Sequence, residues 1–162
     1  MIGAVAFVCG LVATAVTVPV GRALLVANGN IVSSTPLLTE LRVIAGTAAL
    51  LGVAAVLALG VGALFRRSAM AVIAAIAAIL VPYVLAIASI LPDGVAQWLL
   101  RLTPAAGFAI QQSLTEYPQM TARFMPSEGY YPLPPWAGFA VLCAYAALAL
   151  GLAVHRLRGR DV

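Results

Sequence analysis

The sequence predicts an all-α, polytopic membrane protein with four transmembrane helices and a short helical hairpin at one face. Four apolar runs, Ile2 to Val20, Val43 to Phe65, Ala69 to Leu91 and Trp136 to Val154, contain no Asp, Glu, Lys or Arg. A hydrocarbon core of ~30 Å needs about 20 helical residues, and each run reaches that length. Composition agrees: 64% of the residues are hydrophobic and 9% charged, with a mean hydropathy of +1.08, too little polar surface to coat a soluble globule. The nine basic residues are all Arg and mostly flank the runs, so the net charge of +4 reports membrane topology rather than a nucleic-acid patch.

Taken in order, the first span covers about residues 2–25. It has no positive segment before it and exceeds the ~7–15 apolar residues of a signal peptide, so it is expected to be retained. Asn28-Gly29-Asn30 then marks a turn. Thr35 suits an N-cap with Pro36 at the first helical position, which predicts a long second helix over 37–65. Only Arg66, Arg67 and Ser68 separate it from the third span, 69–91, so these two form a tight antiparallel hairpin. Pro82 removes a backbone hydrogen bond in mid-span and predicts a bend near Val81-Pro82-Tyr83, and Pro19 raises the same expectation in the first span. The last span covers 136–156. Pairs of small residues four apart, Ala48-Gly52, Ala71-Ala75, Ala74-Ala78 and Ala140-Ala144, offer faces for close helix packing.

Between Pro92 and Pro135 the chain is neither uniformly apolar nor a polar linker, and 93–117 reads as two short helices. Asp93 is expected to cap a helix through Leu102, about 15 Å long. Thr103-Pro104 restarts the helix, which is expected to run to about Tyr117. Ala106, Ile110 and Leu114 share one face, with Gln111, Gln112, Ser113, Thr115 and Glu116 elsewhere, so this piece is amphipathic and belongs at or in the outer interface. Trp98, Tyr117, Tyr130, Tyr131 and Trp136 surround it as interfacial anchors. Pro126, Pro132, Pro134 and Pro135 stiffen the return to the last span.

Four spans place both termini on one side. That face collects Arg66, Arg67, Arg156, Arg158 and Arg160 in two short segments, the pattern of a cytoplasmic surface. Arg22, Arg42, Arg101 and Arg123 fall on the opposite side, spread over longer segments. Both termini are therefore expected in the cytoplasm of a cell whose plasma membrane the chain crosses several times.

The spans carry little chemistry. Ion-coupled transporters keep acidic, His or Lys residues within their spans, and the four apolar runs, Ile2 to Val20, Val43 to Phe65, Ala69 to Leu91 and Trp136 to Val154, have none. Thr14, Thr17, Tyr83, Ser89 and Tyr145 are the hydroxyl side chains of the first, third and last spans. His155 beside Arg156 suits headgroups and a helix C-terminus. Cys9 and Cys143 lie among apolar neighbours in different spans, where a thiol acts as a small hydrophobe. No catalytic, cofactor-binding or metal-ligating residue is assigned, and intrinsic catalysis is not expected.

The order of pieces resembles the C-terminal part of a type 2 ABC-transporter permease of the actinobacterial kind. These pieces are VPVGRALL closing a span, LGVGALFRRSA, AAILVPYVLA, LPDGVAQWLLRLTPAAGFAIQQS, PPWAGFAVLCAYAALALGLAV and the tail LRGRDV. The resemblance implies helices three to six of a six-helix permease, one transmembrane domain over 1–162 lacking an N-terminal portion. It further implies an ATP-driven exporter in which two permease subunits, alike or different, pair with separate ATPase subunits that carry out hydrolysis. Asp93 to Leu102 and Pro104 to Tyr117 would be the family's external hairpin. Substrate contacts stay unassigned, with Gln111, Gln112 and Glu116 the polar side chains to test by Ala substitution. The alternative is a stand-alone four-helix accessory or immunity protein that binds another membrane protein.

Overall fold

The computed structural model describes residues 1–29, 36–65, 68–88, 91–113 and 130–158, and every regular element among them is helical. Five α-helices follow in order: α1 Ile2–Ala27, α2 Leu37–Phe65, α3 Ser68–Ile87, α4 Asp93–Leu102 and α5 Pro135–Arg158. A 3₁₀ helix, Pro104–Gln111, lies between α4 and α5. Three helices, α1, α2 and α5, are long and apolar enough to cross a membrane, whereas α3 contributes a shorter apolar stretch, Val72–Ile87. Of the expected third span to Leu91, helix is described to Ile87, and residues 89 and 90 lie outside the described residues. Leu91 precedes a proline, whose ring disfavours helical backbone at the residue before it.

Helix α2 is the centre of the bundle, packed against α1, α3, α5 and the 3₁₀ helix. Its Leu50 and Leu57 join Ile110, Leu142, Ala146 and Ala149 in the buried core. Small residues set the spacing. A methyl built on Gly10 would lie 2.8 Å from Leu51 Cδ1 and 3.2 Å from Ala48 Cα, and one on Gly60 would lie 3.0 Å from the Leu150 backbone nitrogen. Of the predicted small-residue pairs, Ala48-Gly52 is buried and faces α1, while Ala140-Ala144 is exposed. Thr14 on α1 donates to its own Gly10 carbonyl at 2.8 Å and to the Ile44 carbonyl of α2 at 3.3 Å, so its hydroxyl is used within the bundle.

Among the described residues α1 touches no helix but α2, and Val5, Val8, Val12 and Val16 form an exposed apolar row along it. Water would penalise such a row and lipid would not. Neither Pro19 nor Pro82 ends its helix. At α1's end Asn28 donates its side-chain amide to the Leu24 carbonyl at 2.8 Å, and Gly29 turns the chain at φ 75°, as the Asn-Gly signal predicts.

Several boundaries differ from expectation. Thr35 lies outside the described residues, and Pro36 takes the cap position itself: its carbonyl accepts from Thr39 and Glu40 amides, and the helix proper starts at Leu37. Likewise Pro92, not Asp93, caps α4, because its ψ of 142° is extended and its carbonyl accepts from the Val95 and Ala96 amides. The Arg66-Arg67 turn and the last tail residues, 159–162, lie outside the described residues.

Candidate functional site

The polar groups and the most tightly buried backbone meet at one place, the α4–3₁₀ hairpin. Thr103 makes the turn, donating its hydroxyl to the Leu99 carbonyl at 2.7 Å, after which Pro104 opens the 3₁₀ helix. The contacts with α5 give the depth of that turn. Tyr145 Oη donates to the Leu102 carbonyl at 2.6 Å, Gly107 meets Leu142, and Ala106 and Ala109 meet Gly138. Tyr145 is ten residues beyond Pro135, about 15 Å along α5 at 1.5 Å per residue. Chain order from Leu102 to Ala109 thus climbs α5 from residue 145 to residue 138. The hairpin enters the bundle and leaves at the same end.

On the α2 side, Ile110 lies against Gly46 so closely that no side chain fits there, and Arg42 Nη2 donates to the Gln112 carbonyl. The hairpin's exit is therefore tied by a guanidinium to the helix that forms the bundle centre. On the α3 side the Phe108 ring packs on Tyr83, centroids 4.6 Å apart and tilted by 40°. Tyr83 is also a neighbour of the Tyr131 phenol, just before α5. Burial, and then this tyrosine neighbour, push the Tyr131 phenol well above its ordinary range.

These contacts correct the amphipathic, interfacial picture of the second short helix. Pro104, Ala105, Ala106, Gly107, Ala109 and Ile110 are all buried, and Gln112, expected on the polar face, is only 4% exposed. A 3₁₀ helix stacks residues three apart, so Ala106, Ala109 and Gln112 share a face that an α-helix would spread. Its thinner section suits the gap left by Gly46, Gly107 and Gly138. The helix ends at Gln111 with Gln112 in extended backbone, short of Tyr117; residues 114–129, with Leu114, Thr115, Glu116, Tyr117, Arg123 and Pro126, lie outside the described residues.

Of the aromatic anchors, Trp98 and Trp136 are exposed, with the Arg101 guanidinium 5.7 Å from the Trp98 ring centroid. Tyr131 is instead a buried core residue, which no local sequence signal distinguishes from an anchor. At the opposite end of the bundle, Arg156 donates to the Leu64 carbonyl at 3.1 Å, meeting one of the last α2 carbonyls that have no partner within the helix. His155 is exposed beside it, and Cys9 and Cys143 are free thiols.

A second feature lies at the hairpin end, a cavity of about 360 Å³ between α1 and α2. Thr17, Arg22, Glu40 and Ser113 supply its polar atoms, and Val18 and Val43 are among its apolar lining. Arg22 Nη1 and Glu40 Oε2 are 3.6 Å apart, an ion pair too long for a direct hydrogen bond. Among the described residues no three His, Cys, Asp or Glu side chains gather as metal ligands would. No family model, curated protein or solved structure matches the chain.

Proposed function

We propose that the chain is a permease subunit of an ATP-driven exporter in the plasma membrane. It crosses the bilayer four times, α3 included, with both termini in the cytoplasm and the hairpin at the outer face. Two such subunits, identical or different, enclose the pathway, and separate ATPase subunits at the arginine-rich end hydrolyse ATP. The observation that supports this reading most is the α4–3₁₀ hairpin, an uncharged-tipped element held by α2, α3 and α5 at the end opposite Arg156. Irregular backbone at such depth is tolerated in membranes where protein buries it or where it lines a cavity. A hairpin narrowing the outer exit fits that role, and it shifts only if the long helices that grip it shift.

The decisive experiment reconstitutes the permease with its ATPase partner in vesicles and measures ATP hydrolysis. Stimulation by the permease, weakened when Gly138→Val displaces the hairpin, is the expected result. Absence of stimulation, together with no ATPase co-purifying with the chain, would overturn the proposal in favour of a stand-alone accessory protein.

A further inference from the structure

We propose that the cavity between α1 and α2 at the hairpin end binds the phosphoethanolamine headgroup of a membrane phospholipid, Arg22 taking the phosphate and Glu40 the primary ammonium. The inference does not depend on the exporter reading, since it concerns only the bundle's own surface.

Four features carry it. The cavity's volume of about 360 Å³ lies within the roughly 300–1,000 Å³ typical of small-molecule sites. Its charges come as one of each sign, 3.6 Å apart, so both retain hydrogen-bonding capacity for a ligand that brings the complementary pair. Its remaining lining includes Val18, Leu25 and Val43, a wall for the glycerol and the first methylenes of an acyl chain. Finally, its level matches that of headgroups: Ser113 in the lining directly follows Gln112 at the hairpin's exit, the end where Trp136, 65% exposed, begins α5.

The pairing of charges selects among headgroups. A purely anionic phosphoglycerol would satisfy Arg22 but bring negative charge towards Glu40. Phosphocholine carries both charges, yet its quaternary nitrogen has no N–H to donate to the carboxylate. Phosphoethanolamine supplies both the phosphate oxygens that a guanidinium fork binds and three N–H donors.

The test uses the purified, delipidated full chain in detergent, incubated with equal amounts of dioleoyl phosphatidylethanolamine, phosphatidylcholine and phosphatidylglycerol, with retained lipid counted by native mass spectrometry. Phosphatidylethanolamine is expected to be retained about tenfold over phosphatidylcholine, as one charge-assisted hydrogen bond allows. Glu40→Gln should abolish that preference and raise phosphatidylglycerol retention, Glu40→Asp should keep the preference, and Arg22→Gln should lower retention of all three. A gain for one lipid cannot arise from misfolding, which separates ligand recognition from a mere tie between helices. Equal retention by the natural chain, or an unchanged preference in Glu40→Gln, would overturn the assignment. Soluble phosphoethanolamine at millimolar concentration should leave the lipid in place, because it lacks the part that meets Val18, Leu25 and Val43; displacement would overturn the assignment to a membrane lipid.

Discussion

The Tyr145 hydroxyl donates to the Leu102 carbonyl at 2.6 Å, joining the middle of α5 to the innermost turn of the hairpin. Leu102 ends α4, so its carbonyl has no partner within that helix, and at this exposed face of the bundle a lipid tail would supply none. Tyr145 is thus the one hydroxyl on α5 and is spent on holding the hairpin at depth. Tyr145→Phe keeps the ring and removes only the donor. It should cost about 1 kcal/mol, within the range of hydrogen bonds between membrane helices, read as a lower midpoint of thermal unfolding in detergent. An unchanged midpoint would mean that packing alone fixes the turn.

Gly138 and Gly151 lie on the same helix and should respond oppositely to one methyl. A Cβ on Gly138 would overlap the Ala106 carbonyl oxygen and sit 2.7 Å from Ala109 Cβ, and neither the backbone nor the methyl of a tightly packed segment can turn aside. Gly138→Ala should therefore destabilise by about 1–3 kcal/mol, the usual cost of overpacking. Nothing lies within 4 Å of a Cβ on Gly151, so Gly151→Ala should be neutral or gain roughly 0.5–1 kcal/mol from restricting the unfolded chain. Paired thermal melts decide it, and equal effects at both sites would contradict the described packing of the hairpin on α5.

Arg42 is the only charged side chain that ties the hairpin to α2 among the described residues, through the Gln112 carbonyl. Arg42→Met retains much of the stem and loses the charge-assisted bond, worth about 1.5–3 kcal/mol when made by a charged group. The effect should be local. Amide exchange in 104–112 should quicken while α1 keeps its protection, and Arg42→Lys, with a point charge in place of the fork, should recover part of it. Uniform exchange loss across the bundle would instead assign Arg42 to global stability.

The long helices were legible because their cause is local: uncharged runs of sufficient length, with Asn28-Gly29 after α1 and Pro36 and Pro135 at the starts of α2 and α5. The Ala48-Gly52 face was legible only as one of four small-residue pairs, and Ala140-Ala144, at the same spacing, is exposed. The hairpin was legible only as two short helices. Whether Pro104–Gln111 coils as α or 3₁₀ depends on the width of the gap between α2 and α5, which Gly46 and Gly138 set from nearly a hundred residues apart. The same gap turns the expected polar face inward, so Gln112 is buried although its neighbours in sequence read as amphipathic. Tyr131 is buried for a related reason: its neighbour Tyr83 is on α3, far away in sequence, and interfacial and core tyrosines look alike one residue at a time.

Tyr131 gives the fold a pH dependence of definite sign. Its folded pKa is raised, by burial first and then by Tyr83, above the ordinary value near 10. Below about pH 10 the phenol is protonated both folded and unfolded, and it adds no pH dependence. Above about pH 10 the unfolded chain releases the proton while the folded chain keeps it, so the unfolded state gains and stability falls as pH rises. Thermal midpoints of the detergent-purified chain should therefore drop between pH 9 and 11, and Tyr131→Phe should show a shallower drop over the same interval. Parallel profiles for the two proteins would mean that Tyr131 ionises in the folded chain as readily as in the unfolded one, and that its burial beside Tyr83 is not maintained in solution.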